Sequence, residues 1–360
     1  MASRTKDCAP VHVNGKWLAR SVTGTERYAT EVVREIVRSG RLEGRLTVHV
    51  PKDAQVPEWL TTGARVVRHA SRGLVFEQIL LPLVTTGHLL VNLAGPAPLL
   101  KRKQLVTMHD ATAMRWPQGF SKQFVAWYWL MYFVLARTAS LLLTVSSFSQ
   151  SELANVLRVP RERYAVAPCG HEHFRDLVAE RPELPATFDP GQPFVVCVGT
   201  LAPHKNLMVP ARAVAEAGWQ ILIVGASGLS HIFATAEGQL PDKAFRLGRI
   251  SDAELAWCYD HALALVFPSR YEGFGLPLVE AQSRGCPVVA SDAASIPEVA
   301  GEAALYFPPD DVAVLLHQLE LLNGDNDERS QRAAAGRVNV TNFRWRTAAM
   351  KVADLAARAL

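Results

Sequence analysis

Short apolar runs rich in β-branched residues alternate with stretches of helical periodicity along nearly the whole chain. In the first half the runs fall at Pro10–Asn14, Leu46–Val50, Arg65–His69, Leu89–Leu93, Leu105–His109, Leu141–Val145 and Tyr164–Ala167. Helical patterns at Glu26–Arg38 and Phe76–Thr85 lie between them. After the sixth run, Ser146, Ser147 and Ser149 offer helix caps, and Ser149 with Glu152 has capping-box spacing. A strand can be apolar throughout only if both its faces are buried. This pattern therefore predicts parallel sheets with helices on each side.

The rhythm breaks over residues 174–193. The stretch Arg181 to Pro193 carries four prolines and a glycine, which disfavour helix and strand alike. The alternation then restarts, with strands expected at Phe194–Val198, Gln220–Val224, Phe245–Leu247, Ala264–Phe267, Val288–Ala290 and Ala304–Phe307. Helices are expected from Asn206, from Ser251 (a capping box with Glu254), from Gly275, over Asp310–Leu322 and over Trp345–Leu360. No internal repeat or low-complexity tract intervenes. The fold class predicted is α/β, with two doubly wound Rossmann-like domains facing a cleft. Residues 1–173 form the first, 174–193 the linker and 194–343 the second, and a closing helix over 344–360 is expected to pack back toward the first. Such a pair binds ligands at the C-terminal ends of its strands.

A chain of 360 residues, 49% apolar and 20% charged, suits a globular protein of two cores. The net charge of +4 hides an asymmetry: residues 1–180 hold 23 Lys/Arg against 14 Asp/Glu, and residues 181–360 hold 15 against 20. A basic first half suits an anionic lipid surface or a phosphorylated acceptor, with plain solvated surface as the alternative. The longest basic run is only Lys101-Arg102-Lys103, so nucleic acid is not an expected partner. Cys8, Cys169, Cys197, Cys258 and Cys286 are scattered, which fits buried free thiols in a reducing cytoplasm. Met1–Asp7 is polar and carries no secretory pattern. Phe124–Ala136 is apolar, with Trp127, Tyr128, Trp129, Tyr132 and Phe133 among its residues. At thirteen residues it falls short of the ~20 that span a bilayer. A buried core helix is preferred there over one resting at a lipid interface.

Glu272 and Glu280 enclose the bend Gly273-Phe274-Gly275, after one expected strand and at the start of a helix. Backbone N–H groups and a helix N-terminus suit phosphate, whereas carboxylates suit sugar hydroxyls; the combination points to a nucleotide sugar. Gly199 to Asn206 leads from a strand end to Lys205, an ammonium placed to meet a leaving diphosphate. His109-Asp110 closes a strand in the first half, where an imidazole reaches ligand hydroxyls or phosphate. Thr23-Gly24-Thr25 precedes a helix and forms a flexible loop for phosphate or acceptor, with Thr25 as helix cap the equal alternative. Three further matches are set aside. Asp325-Asn326-Asp327 falls in an expected turn, His171-Glu172-His173 lacks a third metal ligand, and Gly225 to Gly228 lacks the third glycine of a dinucleotide site.

In this order the motifs resemble the retaining GT-B glycosyltransferases with the E-x7-E signature, which build bacterial polysaccharides and glycolipids. The resemblance runs through Thr23-Gly24 with Arg27-Tyr28, Val106 to Asp110, Thr144 to Ser149, Gly199 to Asn206, Leu247 to Asp252 and Glu272 to Glu280. It implies a retaining hexosyltransferase that needs no metal or other cofactor. Catalytic residues would be His109, Glu272 and Lys205; donor-binding residues would be Gly24, Thr200, Arg249, Gly273, Phe274, Gly275, Leu276 and Glu280. Glu272 would hold the donor sugar, Glu280 the ribose and Lys205 the diphosphate, with Arg249 near the base. Many members carry an arginine where this chain has Thr200 or His204, which leaves Lys205 as the cation aimed at the leaving group. The implied partners are a nucleotide sugar, GDP-mannose favoured, and a saccharide or lipid-linked acceptor, with transfer of mannose or rhamnose. The implied location is cytoplasmic, with peripheral contact at the inner face of an anionic membrane. Two rival readings on the same architecture are a non-catalytic sugar-nucleotide sensor and a nucleotide-sugar epimerase.

Overall fold

The computed structural model describes residues 9–225 and 241–359. They form two parallel sheets. The first has seven strands in the order β3-β2-β1-β4-β5-β6-β7: β1 Val11–Asn14, β2 Leu46–Val50, β3 Arg65–Arg68, β4 Leu89–Asn92, β5 Gln104–Thr107, β6 Leu141–Thr144 and β7 Tyr164–Val166. The second has six in the order β10-β9-β8-β11-β12-β13: β8 Phe194–Val198, β9 Gln220–Val224, β10 Ala244–Gly248, β11 Ala264–Phe267, β12 Val288–Ser291 and β13 Leu305–Phe307. Each expected strand is present, with ends shifted by at most two residues. The central strands are buried along their length, as apolar runs between helical layers require. Edge strand β3 instead begins and ends on exposed arginines, which blunt an open edge.

The chain divides into two compact units, one of Met1–Cys169 with Trp345–Leu360 and one of Gly170–Arg344. The divide lies between Cys169 and Gly170, ahead of the proline-rich stretch expected to be the linker. That stretch packs onto the second unit: Phe188 stands edge-on to Phe194 and Phe245 at 5.3 and 5.5 Å, and the Gln220 side chain pairs with Asp189 N–H at 2.8 Å. Its prolines prevent regular structure without making it a free tether. The closing helix Trp345–Arg358 belongs to the first unit, where Trp345 meets Tyr28 edge-on at 6.0 Å and Arg41 binds Asp354.

Two local expectations need correction. The cap of helix Ser147–Leu157 is Ser146, whose hydroxyl accepts from Ser149 N–H at 2.9 Å; Glu152 pairs with Arg115 instead of closing a box. The apolar helix Lys122–Thr138 is not a fully buried core helix. Met131, Tyr132, Leu135 and Ala136 are buried, but Phe124, Trp129, Leu130 and Phe133 are exposed. Among the described residues, no helix is long and apolar enough to cross a membrane. Cys169, Cys197, Cys258 and Cys286 are buried thiols outside any disulfide among the described residues; Cys8 lies outside the described residues.

Candidate active site

In the second unit β8 lies between β9 and β11, so the strand order reverses direction on its two sides. At such a switch point the loops leaving adjacent strands splay apart and make room for a ligand. The loop after β8 carries Thr200, His204 and Lys205, and the loop after β11 carries Glu272 to Gly275. Lys205 Nζ donates to Glu272 Oε1 at 2.6 Å, joining the two loops through two of the three predicted catalytic groups. A backbone bond reinforces the join, from Arg270 N–H to the His204 carbonyl at 2.7 Å. Both side chains of the ion pair are mostly buried, so their attraction is less screened than at open surface.

The glycine bend is rigid. Gly275 has φ +94°, a conformation closed to most residues, and a Cβ there would stand 2.8 Å from Leu278 Cδ1. It caps the helix Leu276–Arg284, in whose first turn Pro277 has no N–H and Leu278 N–H donates to the Gly275 carbonyl at 3.0 Å. Ser295, fully buried, donates its hydroxyl to the carbonyls of Glu272 and Phe274 at 3.0 and 3.2 Å and holds the bend's shape. Phe274 is buried edge-on against Phe343 at 5.5 Å. Gly273 is buried as well, and Leu276 is half-buried at the first helical position.

Glu280, midway along that helix, is 7% exposed. Its Oε1 meets His173 Nε2 at 3.2 Å, so the histidine set aside as a metal ligand holds the carboxylate expected on the ribose. Burial, and after it the charge of Glu280, drives the hydroxyl pKa of buried Tyr259 well above its usual value. Thr200 and Arg249 are both exposed, Thr200 just after β8 and Arg249 just after β10. The arginine absent from the Lys205 loop has a neighbour in Arg270. Its guanidinium is committed to Asp310 and to Asn206 Oδ1.

Gly24 and His109 lie in the first unit. Gly24 opens helix Gly24–Ser39, capped by Thr23 in a capping box with Glu26 rather than by Thr25. A Cβ on Gly24 would meet nothing within 4 Å, so packing does not demand glycine there. His109 is buried, two residues past the end of β5, and its Nε2 lies 2.8 Å from the Leu93 carbonyl. A carbonyl only accepts, so Nε2 carries the proton and Nδ1 is left as an acceptor. Burial lowers the imidazole's pKa, against smaller opposing effects from the Leu93 bond, Asp110 and Glu26, and this keeps it neutral. Tyr28 stands edge-on to it at 5.1 Å.

The sequence did not point to Ser295, Arg270 or the role of His173. Each acts through a contact far along the chain, with no local motif to mark it. Among the described residues, no group of three or more His, Cys, Asp or Glu is arranged for a metal ion. Asp325 caps helix Asn326–Asn339, accepting from Asp327 and Glu328 N–H at 2.9 and 3.0 Å. Beyond Gly225, the Gly225–Gly228 segment lies outside the described residues.

The model of the family glycosyl transferases group 1 matches residues 183–338, a span that contains both loops and both glutamates. Over 261 residues the chain is 30% identical to O-antigen chain mannosyltransferase B of Escherichia coli, covering 68% of this chain and 67% of that one. The chain belongs to the glycosyl transferases group 1. In fold, this glycosyltransferase is similar to the sucrose-phosphate synthase of Thermosynechococcus elongatus, with a TM-score of 0.73 at 20% identity over 96% of this chain and 98% of that one. It is also similar to Anabaena HepE, solved with UDP and glucose, with a TM-score of 0.68 at 18% identity over 96% and 99%. Two parallel α/β units and these neighbours establish the expected GT-B fold for the glycosyltransferase.

Proposed function

We propose that this glycosyltransferase is a retaining hexosyltransferase that moves mannose or rhamnose, from GDP-mannose in the favoured case, to a saccharide or lipid-linked saccharide during assembly of a cell-surface polysaccharide. The Lys205–Glu272 pair at the β8/β11 switch point carries the reading. One site there offers a cation for a diphosphate and a carboxylate for sugar hydroxyls, beside a helix start whose N–H groups suit phosphate. The E. coli relative's name supports mannosyl transfer in O-antigen assembly, and the HepE complex supports a nucleotide-sugar donor.

In the reaction proposed, the bond from the anomeric carbon to the diphosphate oxygen breaks while the acceptor oxygen bonds to the same face. The acceptor's proton passes to the departing phosphate oxygen, so no enzymic nucleophile is required. Lys205 offsets the charge on the leaving diphosphate, and Glu272 holds the sugar by its hydroxyls. Glu280 holds the ribose, Arg249 lines the base pocket, and Thr200 and the Gly273–Leu276 bend face the donor. Gly24 and His109 contribute from the first unit. No metal enters this scheme. We place the enzyme in the cytoplasm, peripheral to the inner membrane face, where nucleotide sugars meet lipid-linked acceptors.

The test is incubation with a panel of nucleotide sugars, a lipid extract and EDTA, followed by NMR of the anomeric centre in the product. A product of unchanged anomeric configuration, formed at the same rate with EDTA, is expected. An inverted product would remove the retaining mechanism. Nucleotide binding without turnover would make the protein a sensor, and donor interconversion without acceptor would make it an epimerase.

A further inference from the structure

We infer that one face of the first unit docks flat on an anionic lipid bilayer. The connections β3 to β4 and β5 to β6 both step in the same direction through the sheet order. Since such crossovers are right-handed, both lie on one face of the sheet, opposite the helix that joins β1 to β2. The β3–β4 connection comprises a π-helical turn, Val75–Leu80, running into a helical turn, Leu81–Val84. Phe76 and Leu81 point inward, whereas Leu74, Val75, Ile79 and Leu83 are exposed, Leu83 to 67%. In the β5–β6 connection, Lys122–Thr138, the exposed positions Trp129, Leu130 and Phe133 form a second outward apolar stripe. Leu100, exposed to 90%, falls between them in sequence. Gln78 binds the Ala97 carbonyl and Leu99 N–H at 3.1 and 3.0 Å, and Leu99 packs against the core cluster to which Met131, Tyr132 and Leu135 of helix Lys122–Thr138 belong. Both stripes are thus fixed to one loop.

The charges around these stripes select the occupant. Residues 71–86 and 99–140 contain seven Lys/Arg and only two acidic residues, Glu77 and Asp110. Glu77 is fully buried and paired with Lys16, and Asp110 is half-buried. Arg72, Arg102 and Lys122 are exposed and form no ion pair among the described residues, and Arg137, exposed as well, lies over the Phe133 ring at 3.7 Å and donates to the Phe133 and Leu157 carbonyls. Outward apolar stripes edged by unpaired cations match the layering of an anionic bilayer, acyl chains within and phosphates above. A soluble partner protein would have to supply the same layering.

Vesicle co-sedimentation of the purified full chain tests this without reference to turnover, so its failure and that of the transfer reading are separable. Binding is expected to vesicles of phosphatidylcholine with phosphatidylglycerol, weakly or not at all to phosphatidylcholine alone, and less at high salt. R72E/K122E should weaken it by at least ten-fold, given about five-fold per cation. I79S/L83S and L130S/F133S should each weaken it about ten-fold or more. These positions are exposed, and a circular dichroism melt checks that the variants fold. Equal binding to both vesicle types, no binding, or unaltered binding by all three variants would overturn the inference. Concentration-dependent dimerisation abolished by L130S/F133S would assign the face to a second copy and overturn it as well.

A separate observation assigns His173 as a positioning residue, an inference that rests on Glu280 being the ribose ligand. His173 Nε2 and Glu280 Oε1 are 3.2 Å apart, with side chains 2% and 9% exposed. The turn Glu172–Arg175 that carries His173 is clamped to helix Leu276–Arg284, since Arg284 Nη1 donates to the Arg175 and Leu177 carbonyls at 3.0 and 2.9 Å. Held by one oxygen, Glu280 keeps the other oriented for a ribose hydroxyl. The test is affinity for GDP and UDP against their 2′,3′-dideoxy forms. Wild type should prefer the ribose forms by about ten-fold, as a lost hydrogen bond to a charged group predicts. H173A should lose most of that preference and raise the donor KM more than it lowers kcat, and H173Q should restore part of it. No preference in wild type would sink the Glu280 assignment and this one with it. A preference retained in H173A would sink this one alone.

Discussion

Lys205 and Glu272, 67 residues apart in sequence, share a proton donor and acceptor 2.6 Å apart across the β8 and β11 loops. The carboxylate that should grip the sugar therefore also sets where the ammonium stands. Removing either side chain leaves the other charge partly buried and without this partner. E272A should lower turnover about a hundred-fold or more through misplacement of the reacting groups, with affinity for free nucleotide nearly unchanged. K205A should cost about a hundred-fold or more through the leaving group. Because the two act as a unit, the double variant should fall well short of the product of the single effects. Single-turnover rates and calorimetric nucleotide titration check this. Wild-type turnover in E272A removes its role.

E280A should behave differently. Glu280 is buried and bonded to His173, so its loss weakens donor binding and removes the buried hydrogen bond to His173 Nε2. A stability loss of about 1–3 kcal/mol is expected beside the higher donor KM. Chemical denaturation of E280A and E280Q measures the first effect and initial rates the second. Wild-type donor KM in both variants would contradict the assignment.

Much of this was legible from residue pattern, and the reason is physical. The strands are short, apolar and buried on both faces, so β8 and β11 stand where composition places them. Lys205 and Glu272 were recognisable singly, but their contact depends on β8 lying beside β11, which no local spacing encodes. The helix Lys122–Thr138 misled because a run apolar on all sides gives no sign of which side faces inward. His173 and Ser295 act only through distant partners, Glu280 and the Glu272 carbonyl.

Two glycines should respond oppositely to alanine. Gly275 has positive φ, and its added Cβ would lie 2.8 Å from Leu278 Cδ1. G275A should cost about 1–3 kcal/mol of stability and abolish transfer, because the bend must open to admit the methyl. Gly24 has ordinary φ and open space, so G24A should leave the melting temperature unchanged or slightly raised, since alanine favours helix. If a substrate approaches Gly24 closely, transfer by G24A falls while folding does not. Unchanged kinetics in G24A would remove Gly24 from the donor site.

A row of histidines makes the first unit sensitive to acid. His12 Nδ1 and His49 Nε2 are 2.8 Å apart, and His49 Nδ1 and His69 Nε2 are 2.9 Å apart, across β1, β2 and the residue after β3. Each link needs one nitrogen with a proton and one without, so two linked rings cannot both be doubly protonated. Burial is the main cause that lowers His12 to about 4 and His49 to about 3; neighbouring histidines and Arg65 lower both further, as does Lys101 for His12. His69 is lowered by burial as well. Unfolded histidine titrates near 6.5. Below that value the unfolded chain takes up protons that the folded chain refuses, so stability is complete above about pH 6.5 and declines as pH falls towards about 4. Melting temperatures of wild type should drop steadily across that window, and H12N/H49N should flatten the decline while melting lower at pH 8. If the two profiles run parallel from pH 7 to 4.5, the row does not govern the acid response.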